Sequence, residues 1–228
     1  MRDRRTLTVL ALVAASALCV ATLEVRIHRT GDSYYRFLIW NLALAWVPFA
    51  FALAAYDRSR RRLDAAVVVL AVLWLLFFPN APYVLTDFIH LSADAPAPLW
   101  YDALMLSAFA WTALLLGFAS LYLMHALARR VVGVVWSWVG VACALALASF
   151  GVYLGRFVRF NSWDALIRPD QVARVIANDL ENPLAHPRMI GVLIALTCFL
   201  LVGYAVVYSL AALRLELERE ESRALPRR

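Results

Sequence analysis

Lysine is missing from this 228-residue chain, and charge of either sign is scarce: 17% of residues are charged, against about 25% in an ordinary soluble domain. With 64% of residues hydrophobic and gathered into long runs, the shortage of charge excludes a conventional soluble domain, because one small aqueous core cannot hide that much apolar surface. Without lysine, the formal net charge of +6 rests on arginine alone. The arginines sit at the ends of the apolar runs and form no stripe, which excludes a nucleic-acid partner and fits topology determinants and interfacial anchors. Cysteine is scarce too. Cys19, Cys143 and Cys198 each fall inside an apolar run and outside any paired motif, which excludes a disulfide framework and a thiolate metal site. A P-loop, a dinucleotide fingerprint, a nucleophile elbow and a zinc-protease signature are all lacking.

What is present is a series of apolar segments of bilayer length. Spans are expected near residues 7–24, 35–56, 65–83, 100–126, 131–154 and 189–210, giving one integral membrane domain over 1–228, an all-α polytopic transmembrane bundle of about six spans. Ala15-Ser16-Ala17 has the look of a signal-peptide cleavage box, but Cys19-Val20-Ala21 carry the run on to spanning length, so an uncleaved first helix is expected. Tyr35 and Tyr56 bracket the second span as interfacial aromatics do. Inside it Pro48 is expected to bend the helix, and Asn41 to face a partner helix because lipid offers an amide no hydrogen bond.

The third span is the irregular one. Ala65 to Pro79 gives about fifteen apolar residues, roughly 22 Å of helix against a hydrocarbon core of about 30 Å. Asn80-Ala81-Pro82 then interrupts it, with Asp87 and His90 in the apolar stretch that follows. A broken element near the outer leaflet is expected there, which requires protein or water to satisfy the freed backbone. Arg129-Arg130 is read as the short turn between the fourth and fifth spans. The extracytoplasmic loop, 156–188, is the longest polar region; Val172, Val175, Ile176 and Leu180 would share one face of an amphipathic helix within it. Arg36-Phe37 with Asn41 echoes Arg156-Phe157 with Asn161, but the flanking segments do not match as transporter repeats should.

Orientation follows from the arginines. Fourteen fall on the side of both termini and the Arg58–Arg62 and Arg129–Arg130 clusters, and eight on the other, despite its longer loop. By the positive-inside rule both termini are cytoplasmic.

The outer edge then receives Asn80, Tyr83, Asp87, His90, Asp102, Arg156, Arg159, Asn161, Ser162, Trp163, Asp164 and His186. Ionisable groups near membrane depth cost roughly 2.5–3.5 kcal/mol on an insertion scale, so they pair or line a polar cavity. Asp87 and His90, three apart, share a helix face, and with His186 they would offer a first shell for a divalent metal such as zinc; structural hydrogen bonding is the competing use of the same groups. Arg156 and Arg159 would clamp an anionic headgroup or neutralise Asp87, Asp102 or Asp164. Ser162, Asp164 and His186 include the residue types of a hydrolytic triad without showing its geometry. The Asn80–His90 and Arg156–Asp164 segments are expected to meet in one polar site, with Asn161, Ser162 and Trp163 adding hydrogen-bonding groups and an apolar wall.

Phe77-Phe78-Pro79-Asn80-Ala81-Pro82-Tyr83 with Thr86-Asp87 and His90-Leu91, and Arg156-Phe157 with Asn161-Ser162-Trp163-Asp164, together with Trp40-Asn41 and His186-Pro187, are fairly specific phrases. On them the chain resembles a family of small bacterial inner-membrane proteins known as domain of unknown function 1361, from the second span through the sixth. The resemblance implies an uncharacterised multi-pass protein of the cell inner membrane and carries no catalytic residues. The residues themselves suggest a polar site that binds or processes a lipid or envelope precursor; a structural or assembly subunit and a small transporter are the alternatives. Expected partners are membrane lipids, with a membrane-protein partner or a second copy of the chain as further candidates.

Overall fold

A computed structural model describes residues 2–158, 160, 167, 168, 170, 171, 174 and 187–224. Among these residues every regular element is a helix. Helix α1 spans Arg2–Thr30 and α2 spans Phe37–Ser59; α3, Ala65–Phe77, is followed by the single turn α4, Asn80–Tyr83, and a 3-10 helix, Val84–His90. Helix α5, Leu99–Tyr153, runs into a π-helical turn, Leu154–Val158, and α6 spans Pro187–Ala224. Five stretches are long and apolar enough to cross a membrane: Arg5–Thr30, Tyr34–Ser59, Ala65–His90, Leu99–Val158 and Met189–Glu218. That is the signature of a multi-pass membrane protein.

Local chemistry sets the ends. Gly31, at φ 71°, closes α1 by donating its N–H to the Ile27 carbonyl at 2.8 Å, the left-handed cap that glycine adopts without strain. Asp64 caps α3 in extended conformation, its carboxylate accepting from the Val67 N–H. Helix α2 passes Pro48 without ending. At the expected break, Pro79 and Pro82 lack N–H groups, and side chains and short-range bonds take up the slack. The Asn80 Nδ2 donates to the Phe77 carbonyl at 2.8 Å, the Ala81 N–H to that of Phe78 at 3.2 Å, and the Thr86 hydroxyl to that of Tyr83 at 2.6 Å.

The chain of α5 reverses at Gly133, not at the expected turn Arg129-Arg130, which is helical. Gly133 has φ 81° and ψ −178°, a region essentially reserved for glycine. The reversal shows in the side chains: the His125 and Trp138 rings lie 4.7 Å apart, whereas thirteen residues of straight helix would separate them by about 20 Å. Arginine pairs at the end of an apolar run signal an interface, but only glycine supplies the backbone angle.

The resulting hairpin is the hub of the bundle, with α1, α2, α4 and α6 against it. The short α4 is wedged between its two arms. A Cβ on Gly117 of the first arm would stand 2.9 Å from the Ala81 Cβ, and one on Gly151 of the second arm 2.6 Å from the Pro79 ring. Among the described residues two large apolar cores follow, one of α1, α2 and the first arm around Leu38, Leu42, Met105 and Phe109, the other of α2, α3, both arms and α6 around Trp74, Leu121, Leu145 and Leu200, with a small third cluster of Tyr153, Leu154 and Met189. Val172, Val175, Ile176 and Leu180, the face of the expected amphipathic helix, lie outside the described residues.

Candidate functional site

Asp87 enters the bundle from the 3-10 helix after the broken third span and is 1% exposed. Both its oxygens are taken: Asn41 Nδ2 of α2 donates to Oδ2 at 2.8 Å, and Arg156 Nη2 of the π-helical turn donates to Oδ1. Arg156 is fixed on three further sides. Its Nε donates to the Thr86 hydroxyl at 2.7 Å, its Nη1 lies 3.3 Å from His90 Nε2, and its guanidinium stacks 4.5 Å from the centre of the Tyr83 ring, a cation–π contact. Tyr83 itself packs against Gly155, where a Cβ would meet the ring at 3.1 Å.

These bonds decide the His90 tautomer. A guanidinium cannot accept a hydrogen bond, so Nε2 must be the unprotonated nitrogen and Nδ1 carries the hydrogen. Nδ1 then donates to the Tyr34 hydroxyl, 2.9 Å away. The Tyr35 hydroxyl donates to the His90 carbonyl at 2.7 Å, fixing the backbone from the other side.

Tyr35 leads into a second buried ion network. Its ring lies 4.6 Å under the Arg26 guanidinium. Arg26 grips Asp102 with two bonds, Nε to Oδ1 at 2.7 Å and Nη2 to Oδ2 at 3.2 Å, and Nη1 reaches Asp32 Oδ2 at 2.9 Å. Arg26 and Asp102 are 2% and 0% exposed, whereas Asp32 lies at the rim. The Arg26 guanidinium beside Asp32 holds its carboxyl below the usual carboxylate range.

Two expectations about pairing thus divide. Tyr83, Asp87 and His90 do lie around Arg156, and Arg156 does neutralise Asp87; Asn80 instead bonds the Phe77 carbonyl, and Asn41 does face the bundle. Asp102 does not join them, because Arg26 of α1 captures it. Arg159, Asn161, Ser162, Trp163, Asp164 and His186 lie outside the described residues. Arg26, Asp32, Tyr34 and Tyr35 were missed as site residues. An arginine at the end of an apolar run looks like an anchor, and only the fold puts Arg26 opposite Asp102. Among the described residues no three His, Cys, Asp or Glu side chains could hold a metal ion. Both oxygens of Asp87 and both ring nitrogens of His90 are committed to the hydrogen bonds above.

A further polar group sits around the Gly133 hairpin, some thirty residues of helix or about 45 Å from Asp102. His125 is 2% exposed. Ser137 spends its hydroxyl hydrogen on the Val134 carbonyl at 2.7 Å, so His125 Nε2–H donates to the Ser137 oxygen at 3.2 Å and Nδ1 accepts from the Tyr204 hydroxyl at 2.8 Å. His125 is therefore the opposite tautomer to His90. It was not anticipated; its one sequence signal is a histidine inside an apolar run. Around it, Arg129 donates to the Tyr208 hydroxyl, and Arg130 donates to the Tyr56 hydroxyl at 2.8 Å. Arg58 and Arg62 share Asp64, whose carboxyl the Arg58 hydrogen bonds hold down at about 2.

Residues 40–202 match the family described as protein of unknown function DUF1361. The chain belongs to this family. The matched stretch contains Asn41, Asp87, Asp102, His125 and Arg156, and leaves out Arg26, Asp32, Tyr34, Tyr35 and Tyr204. Searches of curated proteins and of solved structures found no match.

Proposed function

We propose that this DUF1361 protein lies in a bacterial inner membrane and crosses it six times with both termini in the cytoplasm. Its Arg156–Asp87 centre then recognises the anionic head of a lipid or envelope precursor at the outer leaflet. Six crossings are supported by the five long apolar stretches, the longest of them doubled back at Gly133. The arginine balance of fourteen to eight supports placing the Gly133 hairpin inside and Arg156 outside.

The observation that carries the reading is the state of Arg156. A guanidinium has five N–H groups; one from Nε, one from Nη1 and one from Nη2 are engaged by Thr86, His90 and Asp87, and two are not committed among the described residues. The side chain is 13% exposed, so the held fork has an open edge. A preorganised guanidinium suits paired oxygens of phosphate or carboxylate, and the ordering cost is met before the ligand arrives. The test is native mass spectrometry of the protein released from its own lipids: wild type retains anionic lipid and Arg156→Gln loses it. Equal retention by both would overturn the reading.

A structural or assembly role is the second reading, favoured by the pairing of Asp87 and Asp102 with arginines of other elements. It predicts that Arg156→Gln lowers stability, or releases a membrane-protein partner or a second copy of the chain, with lipid retention unchanged.

A further inference from the structure

We infer that His90 is a proton-operated latch on Arg156, holding the guanidinium when neutral and releasing it toward a phosphodiester anion when protonated. The inference rests on Arg156 being the anion-recognising group. Its basis is the geometry of donors. The Arg156 Nη1–H can bond His90 only while Nε2 keeps its lone pair, at 3.3 Å. A proton on Nε2 turns that contact into two donors and two positive charges face to face.

The groups facing His90 make the response one-sided. From the turn before α2, the Tyr34 hydroxyl meets Nδ1 at 2.9 Å and the Tyr35 hydroxyl meets the carbonyl at 2.7 Å. The Phe37 ring lies 5.0 Å away. Arg156 comes from the π-helical turn, and Asp87 stands on the same 3-10 helix. Nδ1–H donates to Tyr34 in either state, and Tyr35 holds the backbone in either state. Only the bond to Arg156 is lost. With His90 neutral, Arg156 and Asp87 cancel; with His90 protonated the cluster carries one net positive charge and Arg156 gains a free N–H. Tyr34 is 57% exposed, which gives the ring a route to protons from the aqueous side. An imidazole with a bare ring nitrogen gains a proton on acidification, so lowering the pH strengthens anion binding.

The test uses the full chain in phosphatidylcholine nanodiscs, titrated with short-chain phosphatidylglycerol and, separately, with its free headgroup glycerophosphoglycerol. Both keep one negative charge across the range. Wild type should bind about tenfold more tightly at about pH 5.5 than at about pH 8, the size of one added hydrogen bond and charge. His90→Gln, which keeps an acceptor for Arg156 and cannot titrate, should bind equally at both. A response confined to the phosphatidylglycerol arm assigns a bilayer ligand, and the same response in both arms assigns the headgroup alone. Equal wild-type affinity at the two pH values, or a pH response that survives His90→Gln, overturns the latch. Arg156→Gln binding as wild type does at both pH values overturns the site reading instead. Should His90→Gln not fold, ring-nitrogen NMR of wild type decides: Nδ1–H with bare Nε2 at about pH 8 supports the latch, and the reverse tautomer overturns it.

Discussion

At the His90 end of the bundle the buried polar groups are formal charges, Asp87 with Arg156 and Asp102 with Arg26, joined through Tyr35 and His90. At the Gly133 end the buried groups are neutral, His125 with Tyr204 and Ser137, and the arginines stay near the rim with tyrosine hydroxyls and Asp64 as partners. Among the described residues, the buried carboxylates and imidazoles at both ends have hydrogen-bond partners. They differ in what happens when a partner is lost, because a stranded charge costs far more to bury than a stranded hydroxyl. The ionic end is thus the one in which a change of protonation or a new anion can move a side chain, and the neutral end is the one suited to pinning α6 and the two arms of α5 together.

The largest expected effect breaks an ionic pair outright. Arg26→Met should destabilise by about 3–5 kcal/mol by leaving Asp102 uncompensated, and His125→Leu by about 1–3 kcal/mol by leaving the Tyr204 hydroxyl unpaired. Denaturation in matched detergent ranks them, and a larger loss for His125→Leu would reverse the comparison. Next are two glycines that fail for different reasons. Gly151→Ala should cost about 1–3 kcal/mol by driving a Cβ into the Pro79 ring, and Gly133→Ala a similar amount through backbone strain in open space. Adding Pro79→Gly, which removes both the Cγ and the Cβ that the new methyl would meet at 2.6 and 2.8 Å, should rescue only the first; rescue of both would mean that Gly133 is crowded too.

Coupling sharpens the contrast further. A double-mutant cycle of Asp87→Asn with Arg156→Gln should deviate from additivity by more than about 0.5 kcal/mol. The cycle of Arg129→Gln with Tyr208→Phe should stay within it, since exposed pairs couple weakly. Additivity in both cycles would remove the distinction. The smallest effect concerns Asp64. Its carboxyl titrates at about 2 in the folded protein, below the ordinary value of about 3.9. It therefore contributes stability that is complete above about pH 4 and lost as pH falls toward about 2. Asp64→Asn should flatten the melting temperature over that window by a modest amount; an unchanged pH profile would remove Asp64 from the account.

Much of the candidate site was legible because broken apolar runs leave a mark in one dimension. Two prolines three apart in a run too short to span announce an interruption, and Asp87, His90 and Arg156 stand out because such groups are costly at that depth. Pairing was half legible. Arg156 is expected from the sequence to meet Asp87, Asp102 or Asp164, and charge alone does not choose among them. Arg26 took Asp102 because α1 packs against the first arm of α5, a contact that no local pattern encodes.

The sequence by itself determined that the chain is a bundle of apolar helices, where the third one breaks and which polar residues must find partners, since these depend on run length, missing N–H groups and the cost of burying charge. Only the tertiary structure decided who pairs with whom. Whether Arg26 or Arg156 meets Asp102, which nitrogen of His90 and of His125 carries the hydrogen, and that Gly117 and Gly151 make room for α4 are all set by distances of a few ångströms between helices far apart in the chain. Hydrogen bonds and close packing are sensitive on that scale, whereas hydrophobic patterning constrains only which face is buried.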